Sequence, residues 1–274
     1  DPPFVHFELI PDHLPDKLKS RIARFPAGSL QFEIGIQTFN VEVQALISRR
    51  QDNAQAEANL RWLRQHTAAH LHVDLIAGLP GEDLASFARG FDRLLALRPH
   101  EIQLGILKRL RGAPMFGKSA RHTAAYALDF NPEPPYDVRS TRDIDAATMR
   151  RIARMAQAWD RVANSGRFPR TLALLLGEPG EGTAFMRFLA FADAVAAVAA
   201  QPHGLSPEAL GAHLHDWLCA HGHPPAVVAD AVRRDYAGSG ARGRLAVPGA
   251  PALAPTRTTA PRATLPRQAR HLIG

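Results

Sequence analysis

Four short segments repeat one two-faced pattern, and that repetition limits the fold more than any other feature of the chain. Val5 to Ile10 sets Phe7 and Leu9 on one side and His6 and Glu8 on the other. Leu30 to Asn40, reading LQFEIGIQTFN, sets Phe32, Ile34 and Ile36 against Glu33, Gly35 and Gln37. His70 to Ala77 sets Leu71, Val73 and Leu75 against His72, Asp74 and Ile76. The run EIQLGIL sets Ile102, Leu104 and Ile106 against Glu101, Gln103 and Gly105. Side chains alternate between the faces of a strand, so a period of two reads as β structure. Helical stretches separate the four. The β-α-β-α-β-α-β order implies parallel strands joined by right-handed crossovers. A strand covered by helices on both faces should be a continuous apolar run. Here a polar row backs each apolar row, which predicts barrel or half-barrel curvature around a polar interior. An open doubly wound sheet is the alternative.

The connecting helices carry their own signals. Leu18, Ile22 and Phe25 form a stripe ended by Pro26 and Gly28. Asn40 is placed to cap VEVQALIS, and Asp52 or Asn53 to cap a helix through Leu60 and Leu63. GLPGED closes the third strand and opens a helix with Leu84, Phe87, Phe91, Leu94 and Leu95 on one stripe, ended by Pro99. The expected organisation is a partial barrel over 1–118, a Pro-rich connector over 119–140, an all-helical domain over 141–236 and a disordered tail over 237–274. In the helical part, Trp159 and Trp217 lie on apolar stripes and read as core.

The net charge of +7 belongs to the tail. Six arginines and no Asp or Glu follow Tyr236, and without them 27 basic residues face 26 acidic ones. A solvated tail and a nucleic-acid-binding arm both fit that charge, but the tail lacks aromatics for base stacking, so nucleic acid is a disfavoured partner. No apolar run approaches the ~20 residues that span a bilayer, and no signal peptide is visible. Cys219 is the only cysteine, so no intrachain disulfide forms, which fits a cytoplasmic location. The chain opens at Asp1 with a strand-like run, so a piece of a longer protein is expected.

Glu8, Gln37, Arg49 and Asp74 form the leading candidate site. The first, second and fourth lie on inward strand faces, and βα loops converge at the C-terminal rim of such sheets. Arg49 lies one helix past Gln37 and can reach the same mouth. A carboxylate suits ribose hydroxyls or an ammonium group, and an arginine suits a carboxylate. Together they fit a zwitterionic ligand with a sugar. The alternative is that these groups satisfy one another inside a wet barrel. His213, His215, Cys219, His221 and His223 have spacings that permit metal chelation, against surface histidines beside a buried thiol. His72 reads as a proton-transfer group or a satisfied interior histidine. Lys108 and Arg109 read as substrate contacts or a solvated pair.

GIQTFNVEVQALISRRQDN followed by VDLIAGLPGED resembles the radical S-adenosylmethionine (SAM) superfamily, nearest to the oxygen-independent coproporphyrinogen oxidase type and to cobalamin-binding members. The matches are Glu8, then Gly35 to Asn40, then Ser48-Arg49, then Asp74 to Gly81. The resemblance covers about residues 1–115. It implies that Glu8, Gln37, Arg49 and Asp74 contact SAM on strands three to six of a TIM-barrel-like fold. The helical part with its PPYDV connector resembles an uncharacterised C-terminal domain attached to some cobalamin-binding members. The superfamily's C-x3-C-x2-C motif and its glycine-rich stretch are absent from this sequence and are expected upstream of Asp1. The intact protein is then expected to be an enzyme using SAM, a [4Fe-4S] cluster and, in the cobalamin-binding type, cobalamin. An electron from the cluster would yield a 5′-deoxyadenosyl radical. Its partners would be an electron donor, the upstream part of the same polypeptide and a substrate of unknown, small-molecule class. This chain alone is expected to be inactive. A binding module that recruits a partner or RNA is the rival reading, and a hydrolase pairing Asp74 with Glu33 is the third.

Overall fold

The computed structural model describes residues 3–110, 124–180, 182–198, 205–241, 243–247 and 271. Four parallel strands form one sheet: β1 (Val5–Glu8), β2 (Leu30–Gln37), β3 (His70–Ala77) and β4 (Glu101–Ile106). Their spatial order is β1-β2-β3-β4. Strand order equal to chain order is how a barrel wall grows, whereas a doubly wound sheet reverses direction at a switch point. The expected α/β class with a parallel sheet is borne out.

Between the strands lie α1 (Asp16–Ile22), α2 (Val41–Leu46), α3 (Asn53–His66) and α4 (Leu84–Ala96). Asn40 caps α2 by accepting from the N–H groups of Glu42 (3.0 Å) and Val43 (3.3 Å). Asp52, rather than Asn53, caps α3 through the Gln55 N–H at 3.0 Å. Asp83 caps α4 through the Ser86 N–H at 2.7 Å. Ile34, Ile36, Leu71, Val73, Leu60, Leu63, Phe87, Phe91 and Leu94 are all buried and make up the core beneath the sheet. The stripe on α1 is only partly used: Ile22 is buried, but Leu18 and Phe25 are exposed. Among the described residues β1 pairs with β2 alone, and Phe7 on its apolar side is exposed.

The chain divides into two compact units. One holds Asp1–Ala156 with Pro179–Phe185, and the other Gln157–Glu178 with Met186–Gly274. In the first, the Pro-rich stretch carries a two-stranded antiparallel ladder, β5 (Asp129–Phe130) with β6 (Val138–Ser140). Helix α5 (Ala146–Trp159) follows and runs into a π-helical turn at Asp160–Asn164. The N-terminal turn of α7 (Thr183–Val198) is held in this unit by Asp92 of α4. That buried carboxylate accepts from the N–H groups of Gly180 (2.8 Å), Ala184 (3.0 Å) and Phe185 (2.9 Å).

The second unit is helical. It contains α6 (Pro169–Leu176), α8 (Pro207–Ala220), α9 (Pro225–Gly238) and the rest of α7. Trp159 packs edge-on to Phe188 at 4.9 Å, Phe188 to Phe191 at 5.7 Å, and Phe191 to Trp217 at 6.0 Å. Edge-to-face pairs of this kind add to area burial. Trp159 is buried, as its core reading requires, whereas Trp217 is only half-buried. Asp235 of α9 caps α6 as Asp92 caps α7, accepting from the Thr171 N–H and hydroxyl, both at 2.8 Å. At the start of the basic tail, Glu208 accepts from the Gly243 N–H at 3.0 Å, and Val247 is buried. Beyond residue 247 only His271 is described, so the expected disorder falls outside the described residues. Among the described residues no helix is long and apolar enough to cross a membrane.

Candidate functional site

The polar face of the sheet follows from the register. Glu8 lies beside Glu33, Glu33 beside His72, and His72 beside Glu101. One level higher Gly35 lies beside Asp74 and Asp74 beside Gln103. Neighbours in a parallel ladder project to the same face, so ionisable groups crowd one side of the sheet.

At the C-terminal rim this face opens into a cavity of about 770 Å³, within the range of small-molecule sites. Glu8, Gln37, Arg49 and Asp74 all line it. The four residues singled out from the sequence, spread over 67 positions from 8 to 74, are thus brought to one place. Glu33, Gly35, Asp12, Arg50 and Gln51 line it too.

Gln37 sits at a register shift in the β2–β3 ladder with φ of 67°. That left-handed region is uncommon for a residue with a side chain and costs about 1 kcal/mol or more. The bend turns the carboxamide back over Gly35. A Cβ at position 35 would lie 2.4 Å from the Gln37 Nε2, so only glycine leaves the carboxamide this place. The buried Gln37 Oε1 has no hydrogen-bond partner among the described residues.

Arg49 arrives from the loop after α2. Its Nη2 donates to the Gly35 carbonyl, and its Nε donates to Gln51 Oε1 at 2.9 Å. Burial lowers its pKa, and Asp12 works in the opposite direction. Gln51 in turn donates to Asn53 Oδ1 at 2.9 Å, and Asn53 donates to the Phe39 carbonyl at 2.9 Å. Arg49 is therefore fixed to β2 at one end and to the start of α3 at the other.

Asp74 lies mid-strand on β3, with its side chain 17% exposed. Burial pushes its carboxyl up to about 7, and the nearby Glu33 and Glu8 carboxylates push in the same direction. Its Oδ1 has no hydrogen-bond partner among the described residues and lies 3.6 Å from His72 Nε2. Glu33 is paired with His6 at 3.3 Å, and the buried Glu101 with the buried His70 at 3.0 Å.

GLPGED holds a residue that the sequence reading passed over. Glu82 is 2% exposed, and its Oε1 accepts from the Thr38 hydroxyl (2.7 Å) and the Ser86 hydroxyl (3.2 Å). Thr38 Oγ1 accepts from the Asn40 N–H at 3.0 Å. Glu82 thus ties the turn after β3 to the turn after β2, directly behind Gln37. Burial raises its carboxyl to about 7 against the opposing hydrogen bonds of Thr38 and Ser86. The adjacent Glu82-Asp83 pair was the available signal. Asp83 serves as the N-cap, so its neighbour needs another partner.

The other candidates do not line this cavity. Lys108 and Arg109 are exposed where the chain meets the Asp137 segment. Among the described residues no three His, Cys, Asp or Glu side chains are grouped to hold a metal ion. His215 Nε2 lies 3.7 Å from Cys219 Sγ, and its Nδ1 lies 2.9 Å from Asp216 Oδ1. The Cys219 thiol is raised by burial and by Asp216, which works against a reactive thiolate.

Residues 124–246 match a family described as protein of unknown function (DUF4080). Over 75 residues the chain is 36% identical to the oxygen-independent coproporphyrinogen III oxidase of Synechocystis sp., covering 27% of this chain and 16% of that protein. Over 97 residues it is 30% identical to the namesake from Paracoccus denitrificans, covering 35% and 21%. The chain thus spans about a fifth or less of these relatives. Among solved structures, the coproporphyrinogen III oxidase of Escherichia coli, described as a radical SAM enzyme, matches with a TM-score of 0.41 at 24% identity, covering 56% of this chain and 32% of that one. The chain resembles radical SAM proteins of the oxygen-independent coproporphyrinogen oxidase type.

Proposed function

We propose that the cavity binds SAM and that this chain is the cofactor-holding part of a radical SAM enzyme. The observation that carries the reading is the convergence of Glu8, Gln37, Arg49 and Asp74 on one cavity of about 770 Å³. The groups match the ligand's chemistry. Glu8 and Asp74 accept from ribose hydroxyls or the ammonium group, and an ionised acceptor makes the stronger bond. Arg49 Nη1, with no partner among the described residues, donates to the carboxylate. The unpartnered Gln37 Oε1 and Asp74 Oδ1 gain partners when the ligand arrives, which repays the cost of burying them empty.

The residues present do not fit an iron–sulfur cluster. Such clusters take several thiolates, and Cys219 is the only cysteine. The cluster's ligands would lie outside these residues, and so would the sites of the electron donor and of any cobalamin. With a reduced cluster held by residues outside this chain, SAM would be the source of a carbon-centred radical. The part played by this chain is to bind and orient the ligand and to exclude water from one side of it. Arg49, anchored on the Gly35 carbonyl, and the Gln37 carboxamide lying over Gly35 fix its orientation. The substrate would be a small molecule entering above the same rim.

Calorimetry of the 274-residue chain with SAM tests the reading. Wild type should bind, and Asp74→Ala and Arg49→Ala should each weaken binding at least about tenfold. Equal affinity in wild type and both variants would remove the site assignment.

A further inference from the structure

The polar face places more titratable groups around Asp74 than SAM binding alone calls for. Glu8 stands on β1, and Glu33 on β2 is held by His6. His72, on β3 itself, stands 3.6 Å away, within ion-pair range but beyond hydrogen-bond range. From β4, Glu101 is engaged with His70. From the loops come Arg49 and Arg50, with Asp12 opposite. Arg49 is turned to the Gly35 carbonyl and Gln51. The cavity therefore faces Asp74 with two carboxylates, and leaves Asp74 Oδ1 without a hydrogen-bond partner among the described residues.

We infer that the cavity captures its cationic ligand by exchanging a proton for it, with Asp74 as the group that gives up the proton. The inference rests on the reading of the cavity as the SAM site. The exchange balances simply. A neutral Asp74 carboxyl and a ligand bearing ammonium and sulfonium charges become a carboxylate paired with that cation, plus one proton released to solvent. Burial, reinforced by repulsion from Glu33 and Glu8, keeps the proton on Asp74, and the incoming positive charge offsets both. The elevated Asp74 carboxyl, at about 7, sets the window. The Asp74 contribution to affinity should be flat above that pH and fall about tenfold per unit below it. A cation is then taken up well near neutrality and above, and poorly at acid pH.

The test is calorimetry of the full chain with SAM at pH 7 in phosphate and in Tris, buffers whose ionisation enthalpies differ. The heat difference counts protons released. Wild type should release about half a proton more than Asp74→Asn, and Glu33→Gln should release less than wild type. The ligand's own amino group is common to all three and cancels. Equal proton counts in wild type and Asp74→Asn overturn the exchange while leaving the SAM site standing. Absence of any binding heat in wild type overturns the SAM site and the exchange with it. If Asp74→Asn binds too weakly to measure, the wild-type affinity between pH 6 and pH 8 decides, because a flat profile excludes proton release.

Discussion

Asp92 and Asp74 lie in the same compact unit and are both largely withdrawn from water, yet the fold treats them in opposite ways. Asp92 on α4 accepts three backbone N–H groups at the start of α7. Asp74 on β3 has one oxygen without a hydrogen-bond partner among the described residues, two carboxylates nearby and a histidine at 3.6 Å. Asp235 repeats the Asp92 arrangement at the start of α6. A carboxylate that completes a helix terminus meets donors and the positive end of the helix dipole, and it stabilises the fold. A carboxylate left incomplete on an inward sheet face costs stability and is retained where a ligand supplies the missing partners. Satisfaction of hydrogen bonds separates Asp92 and Asp235 from Asp74 more cleanly than burial does.

That contrast can be broken by substitution. Asp92→Ala should cost the most, about 3 kcal/mol in urea unfolding, because buried N–H groups lose their acceptor. A loss below ~1 kcal/mol would deny Asp92 its structural role. Glu82→Gln should act through pH. The Glu82 carboxyl titrates at about 7 in the fold against 4.5 ordinarily. Its protonated form therefore contributes stability that is fully present below pH 4.5 and is lost as pH rises through 7. The Gln variant should equal wild type at pH 4 and exceed it by about 3 kcal/mol at pH 8. Parallel stability curves across that range would contradict the burial argument.

Smaller effects sharpen the comparison on the cavity side. Gly35→Ala should leave stability within about 1 kcal/mol, since the clash falls on a side-chain amide, while SAM affinity falls about tenfold as the Gln37 carboxamide is displaced. Gln37→Gly should raise the unfolding free energy by up to about 1 kcal/mol by relieving the left-handed backbone, and should weaken binding. A variant that lost both stability and affinity would make Gln37 structural rather than a ligand contact.

Much of this molecule was legible in its sequence. The period-two pattern located all four strands, and the Asn40 cap and the apolar stripe of α4 were read correctly, because local periodicity and capping chemistry act over a few residues. The Pro-rich stretch hid a short antiparallel ladder at Asp129–Phe130 and Val138–Ser140, since strands of two and three residues leave no periodicity to read. Leu18 and Phe25 on α1 promised burial that the described structure does not give them. A stripe reports a capacity for packing, and its use depends on neighbours far along the chain.

The sequence by itself determined the β-α alternation, the polar and apolar division of each strand and the set Glu8, Gln37, Arg49 and Asp74. Only the tertiary structure decided that Glu8 stands beside Glu33 and Asp74 beside Gly35. It alone bound Arg49 to the Gly35 carbonyl, and it alone brought Glu82 behind the Gln37 turn. The reason is physical. Which residue types a strand presents is a local property. The protonation of a carboxyl and the direction of a guanidinium depend on water removed and charges brought near by segments dozens of residues away.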